Sequence, residues 1–124
     1  MEFTNQQAIY LQIAEMISEK ILLKQFIEAE RIPSVREMAI QLEVNPNTVM
    51  RTYEYLQSKE IITNKRGVGY FVSVDGIAKA TDLRKTEFLE QELPRIFKTA
   101  GLLGIGFEEL QARFTFFINN TPKD

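Results

Sequence analysis

The chain has 124 residues, 44% of them hydrophobic and 26% charged, with a formal net charge of −2; that composition belongs to a soluble globular protein with a packed core rather than to a disordered one. Its length supports one domain with its own core, plus at most a small appendage whose apolar face is buried against something else. Cys and His are both absent, which removes disulfides, thiolate nucleophiles, the usual zinc, copper and haem ligands, and the commonest general base. The carboxylates stand singly along helical patterns, so no catalytic residue, metal or cofactor is expected.

The segment from Met1 to Ile9 is polar and mixed, without the basic start and apolar run of a secretion signal. No apolar run is long enough to cross a bilayer. A cytoplasmic protein without a membrane partner is the expectation. The acidic balance argues at first against nucleic acid, but binding depends on where cations lie. Arg31, Arg36, Arg51, Lys59, Lys65 and Arg66 recur in the segments that would face a duplex.

The first helix is expected from about Gln6 to Lys24, because Ile9, Ile13, Ile17 and Ile21 repeat every four residues and Tyr10, Met16 and Leu22 widen the stripe. Thr4 with Gln7 fits a capping box, and Gln12, Glu15, Glu19 and Lys20 read as the solvent face. A short second helix begins after Ser34, whose hydroxyl and Glu37 form another capping box, and ends near Glu43 with Val35, Met38, Ala39 and Leu42 inward. Asn45 then caps a third helix with Pro46 in its first turn, where a missing N–H costs nothing. Val49, Tyr53 and Leu56 face inward, leaving Asn47, Thr48, Met50, Arg51, Glu54 and Tyr55 more exposed. Two short helices joined by so tight a turn form a helix-turn-helix.

The pattern changes at Ile61 to a strand through Asn64, a basic turn from Lys65 to Gly67, and a second strand from Gly69 to Val74. A hairpin placed after a helix-turn-helix is a wing. From about Gly76 the chain is helical again, with Leu83, Phe88, Leu89, Leu93, Ile96 and Phe97 apolar. Pro94 either kinks this helix or starts a new one. A break at Gly101 to Gly106 precedes a last helix that carries Leu110, Phe114, Phe117 and Ile118 on one side, and the tail from Asn119 frays. The fold class is therefore mainly α with a small β-hairpin. Residues 1–75 form a winged helix-turn-helix, and residues 76–124 form two or three helices for dimerisation.

Recognition helices set polar side chains near their N-terminus into the major groove, where paired hydrogen bonds separate base pairs by about 1–3 kcal/mol. Asn45, Asn47, Thr48 and Arg51 supply that mixture, although Asn45 is equally a cap. Ser34 and Arg36 at the second helix start, with Arg31 upstream, are candidates for holding phosphate, and for Ser34 the capping role stands beside it. The wing tip, Lys65, Arg66 and Gly67, suits a neighbouring minor groove. The double-stranded DNA implied here competes chiefly with docking of the third helix onto a protein partner through Met50 and Tyr55, and last with a carboxylate-dependent enzyme, for which no paired motif is present. The docking rival lacks the large buried anchors protein interfaces usually centre on.

The stretches R-I-P-S-V-R-E-M-A, V-N-P-N-T-V-M-R-T-Y-E-Y-L and G-V-G-Y-F-V, between Arg31 and Val72, together resemble the DNA-binding domain of GntR-family bacterial regulators. Asn45-Pro46-Asn47-Thr48 and the short C-terminal helices resemble its YtrA-like branch. The resemblance implies a homodimeric repressor on a palindromic operator, with genes that often accompany transporters. It places Ser34, Arg36, Asn45, Asn47, Thr48, Arg51 and Gly67 near DNA. Many GntR relatives have arginines where Pro46 and Met50 stand, and glycines where this chain has Lys24, Ala29 and Glu60. No effector is legible. The dimer is also expected on physical grounds, since two short amphipathic helices cannot bury Leu83, Phe88, Leu89, Leu93, Ile96, Phe97, Leu110, Phe114 and Phe117 alone.

Overall fold

The structure, a computed structural model, describes residues 2–3 and 7–122. Among these the chain order is α1 (Ile9–Leu22), α2 (Val35–Leu42), α3 (Pro46–Ser58), β1 (Ile62–Lys65), β2 (Gly69–Val72), α4 (Gly76–Glu87), one π-helical turn (Phe88–Glu92), α5 (Leu93–Leu102) and α6 (Phe107–Asn120). The chain divides into two compact units, residues 1–85 and 86–124.

The core of the first unit is built by the periodic positions of α1 and α3. Ile13, Ile17 and Ile21 are fully buried, as are Val49, Tyr53 and Leu56, with Met38 and Ala39 of α2 beside them. Two readings of α1 change. The helix opens at Ile9 after Ala8 rather than at Gln6, and Thr4 of the expected capping box lies outside the described residues. Ile9 is accordingly exposed, whereas Gln12, expected in solvent, is buried with its amide nitrogen donating to the carbonyl of Gln7 at 2.7 Å.

At α2 both halves of the capping box form: the Glu37 amide donates to Ser34 Oγ at 3.1 Å and the Ser34 amide to Glu37 Oε1 at 2.9 Å. Glu43 ends the helix in the left-handed conformation, φ +55°, which turns the chain sharply into the cap of α3. Lys24, Ala29 and Glu60 take the same conformation, at φ +60°, +66° and +62°. These three non-glycine residues therefore bear a local cost of order 1 kcal/mol each that glycine would avoid.

β1 and β2 pair antiparallel, Ile62 with Val72 through Lys65 with Gly69. Each strand is offset or shorter than its pattern suggested. β1 starts at Ile62 and includes Lys65, and Val74 beyond β2 is left exposed. The loop after α1 adds a third layer of pairing along the other edge of β2. The Ile32 amide donates to Tyr70 O, the Ala29 amide to Val72 O and the Val72 amide to Glu30 O, at 2.9–3.0 Å. One sheet face, with Ile62 and Val72, closes the core.

The first unit runs to Lys85, beyond the residue-75 boundary expected above. Ala80 of α4 is fully buried, and Ile77 and Leu83 pack against the same core. Arg84 pairs with Glu15 at 3.1 Å, and Lys79 with Glu60 at 2.9 Å. Leu83 is half-buried there, packed against the core of this unit.

The second unit is different. Pro94 sits in the first turn of α5, directly after the π-helical turn, while Glu92 and Leu93 keep right-handed helical dihedrals. A widened turn there relieves the hydrogen bond that proline cannot donate. Ala100 is the one buried residue among those described in this unit. Phe97 is 53% exposed, Phe114 67% and Phe117 64%.

Candidate nucleic-acid interface

The N-terminal end of α3 presents polar side chains to solvent because Asn45 and Pro46 start the helix there. Asn45 Oδ1 accepts from the Asn47 amide at 2.8 Å, so its oxygen is committed to the cap. Asn47 and Arg51 are exposed and Thr48 is half-buried. Arg51 does not extend freely: its guanidinium lies 4.0 Å from the ring centroid of Tyr10, on α1. Ala8, Ile9, Tyr10, Asn47, Thr48 and Arg51 together line a cleft of about 370 Å³.

At the start of α2, Arg36 is exposed, while the hydroxyl and amide of Ser34 are both engaged with Glu37. Hydrogen bonds from the Ser34 amide and then its hydroxyl hold the Glu37 carboxyl below the ordinary carboxylate range, with a smaller contribution from Arg31. A depressed carboxylate stabilises the folded state above its ordinary pKa. That contribution is lost as pH falls through the lowered value.

The wing tip is a turn in which the Val68 amide donates to Lys65 O at 2.8 Å. Gly67, at φ +78°, occupies the third position, where a type II turn requires positive φ. Arg66 and Gly67 are exposed at the tip. Lys65 lies with its ammonium 4.2 Å over the Phe71 ring, and Arg31, bridged to Phe71, passes over Gly69 so closely that a Cβ there would stand 2.8 Å from Arg31 Nε. Arg31 and Lys65 therefore flank Phe71, on the sheet face opposite Ile62 and Val72.

Two side chains that fix this geometry were not singled out for it in the sequence. Tyr53 is fully buried, its hydroxyl donates to Pro33 O at 2.6 Å, and its ring meets Tyr70 of β2 edge-on at 4.8 Å. Burial pushes its pKa upward, so it stays a neutral donor tying α3 to both the α2 approach and the wing. Thr52, also fully buried, has its hydroxyl 2.8 Å from Tyr10 O and 3.1 Å from Thr48 O, a link between α1 and α3. Apolar periodicity placed Tyr53 inward, but no local signal identifies partners so distant in the chain. Among the described residues no group of His, Cys, Asp or Glu is arranged to hold a metal ion.

A tight pair of short helices, the second presenting a polar face and followed by a hairpin packed on the same core, defines a DNA-binding winged helix. Residues 9–72 match the family described as bacterial regulatory proteins, gntR family, and the chain belongs to that family. It is a transcriptional regulator and not an enzyme. The chain is 37% identical over 109 residues to the HTH-type transcriptional regulator YhcF of Bacillus subtilis, covering 88% of each. It is 33% identical over 103 residues to the HTH-type transcriptional repressor YtrA of the same organism, covering 82% of this chain and 78% of YtrA. The crystal structure of a GntR-family regulator from Bacteroides thetaiotaomicron is 50% identical, with a TM-score of 0.75 over 90% of this chain and 97% of that one. No helix among the described residues is long and apolar enough to cross a membrane.

Proposed function

We propose that this regulator is a cytoplasmic homodimeric repressor that binds a palindromic operator, with control of a transporter operon as the expected setting. The observation that carries the dimer is the second unit, where a helical segment leaves Phe97, Phe114 and Phe117 more than half exposed and buries little beyond Ala100. Helices so uncovered are stabilised by a second copy, and closed two-fold pairing is the commonest solution. The dimerising residues are Leu83, Phe88, Leu89, Leu93, Ile96, Phe97, Leu110, Phe114 and Phe117, joined by the exposed Leu102, Leu103, Phe107 and Phe116. YtrA, the B. subtilis relative, is named a repressor, which supports that sign of regulation.

On DNA, Asn47, Thr48 and Arg51 meet base edges in the major groove, with Asn45 at the helix entry. Arg36 and Ser34, with Arg31, hold the phosphate backbone, and Lys65, Arg66 and Gly67 reach a flanking minor groove. Binding over a promoter excludes polymerase. The test is a salt titration with the chain's own promoter fragment. Affinity falls steeply with salt, and Arg51→Ala or Arg36→Ala weakens it further. Salt-independent binding, or indifference to both substitutions, would overturn the proposal.

A further inference from the structure

We infer that Tyr10, on α1 and outside the helix-turn-helix, is a positioning residue for DNA specificity, acting by holding the Arg51 guanidinium over its ring; this rests on the proposal that Arg51 meets the duplex. Three observations converge on the pair. The Arg51 guanidinium stands 4.0 Å from the Tyr10 ring centroid, within the range where a cation is attracted to an aromatic face. Tyr10 is itself immobilised: its carbonyl oxygen is 2.8 Å from the hydroxyl of buried Thr52, and its ring meets Tyr55 edge-on with centroids 6.2 Å apart. Tyr10 and Arg51 also line one cleft with Asn47 and Thr48, the polar residues of the recognition-helix start.

An arginine on an exposed helix face carries large rotamer freedom, and ordering it on binding costs free energy. A ring beneath the guanidinium removes much of that cost beforehand and leaves the N–H edge to hydrogen-bond. A preset edge favours the base or phosphate that matches it, whereas a free side chain follows any phosphate. Tyr10 therefore acts on specific binding far more than on general attraction to DNA.

The experiment uses the full chain and a duplex it has selected from a random pool, with an unrelated duplex of equal length as the non-specific probe. Tyr10→Leu is expected to weaken the selected duplex about tenfold while leaving the non-specific affinity and the salt slope unchanged. Tyr10→Phe, which restores the ring, recovers the loss. In the Tyr10→Leu/Arg51→Ala double variant the losses are less than additive, because both remove one preset group. Tyr10→Met fills the site with a flexible apolar side chain but no ring and repeats the Tyr10→Leu pattern, which keeps the test decisive if Tyr10→Leu folds poorly. Full retention of selected-duplex affinity in Tyr10→Leu while Arg51→Ala loses it would overturn the role of Tyr10 and leave Arg51 as a DNA contact. Indifference to Arg51→Ala would instead overturn the contact, and the role of Tyr10 with it.

Discussion

The winged helix and the C-terminal unit use similar residues to opposite effect. In the first unit Ile13, Ile17 and Ile21 of α1 and the inward positions of α3 are fully buried, whereas in the second the phenylalanines of α5 and α6 stand open. Apolar surface removed from water stabilises by roughly 25 cal/mol per Å²; the first unit therefore has an internal source of stability, and under the proposed dimer the second would gain one by association. On that proposal, stability and assembly fall to separate stretches of one short chain.

The largest effect expected from this contrast separates the two. Phe114→Asp combined with Phe117→Asp halves the mass seen by light scattering and weakens operator binding by at least about 100-fold, since each half-site loses its tethered neighbour. Thermal unfolding of residues 1–85, followed through the tyrosine signal, stays near the wild-type midpoint. Within the first unit, Leu56→Ala removes a fully buried side chain and costs about 2–5 kcal/mol in denaturant unfolding. Gly69→Ala is next: φ +142° disfavours a side chain, and the added Cβ meets Arg31 Nε at 2.8 Å. It costs about 1–3 kcal/mol and weakens DNA binding through displaced Arg31. Ala29→Gly goes the other way. Relief of the left-handed conformation at φ +66° exceeds the added chain entropy and raises stability by about 0.5 kcal/mol, read as a higher denaturation midpoint.

The same contrast explains what could be read from the residues alone. Signals contained within a few positions were legible: the Ser34 and Glu37 box, the Asn45-Pro46 helix start, and the hairpin with Gly67 at its turn. The wide isoleucine stripe identified α1, but not that Ile9 lies beyond the covering core or that Gln12 is buried with the Gln7 carbonyl as its acceptor. The membership of α4 in the first unit is not legible in the residues, because a small residue, Ala80, marks its buried face and alanine gives weak periodic contrast. Leu102 and Phe116 lie off the main stripes of their helices, so periodicity passed over them although both are largely exposed. In the site, exposed polar positions on α3 followed from helical spacing. The seating of Arg51 on Tyr10 and of Tyr53 against Pro33 and Tyr70 depends on chain segments that only the tertiary fold brings together.

The central claim is that two copies present their recognition helices at one fixed separation. Its most direct test compares the affinity of the full chain for a selected operator with that for the same operator carrying about five extra base pairs, half a helical turn, between its half-sites. The account predicts a fall to the level of non-specific DNA, because the second recognition helix is carried to the wrong face of the duplex. Unchanged affinity for the lengthened operator would contradict it.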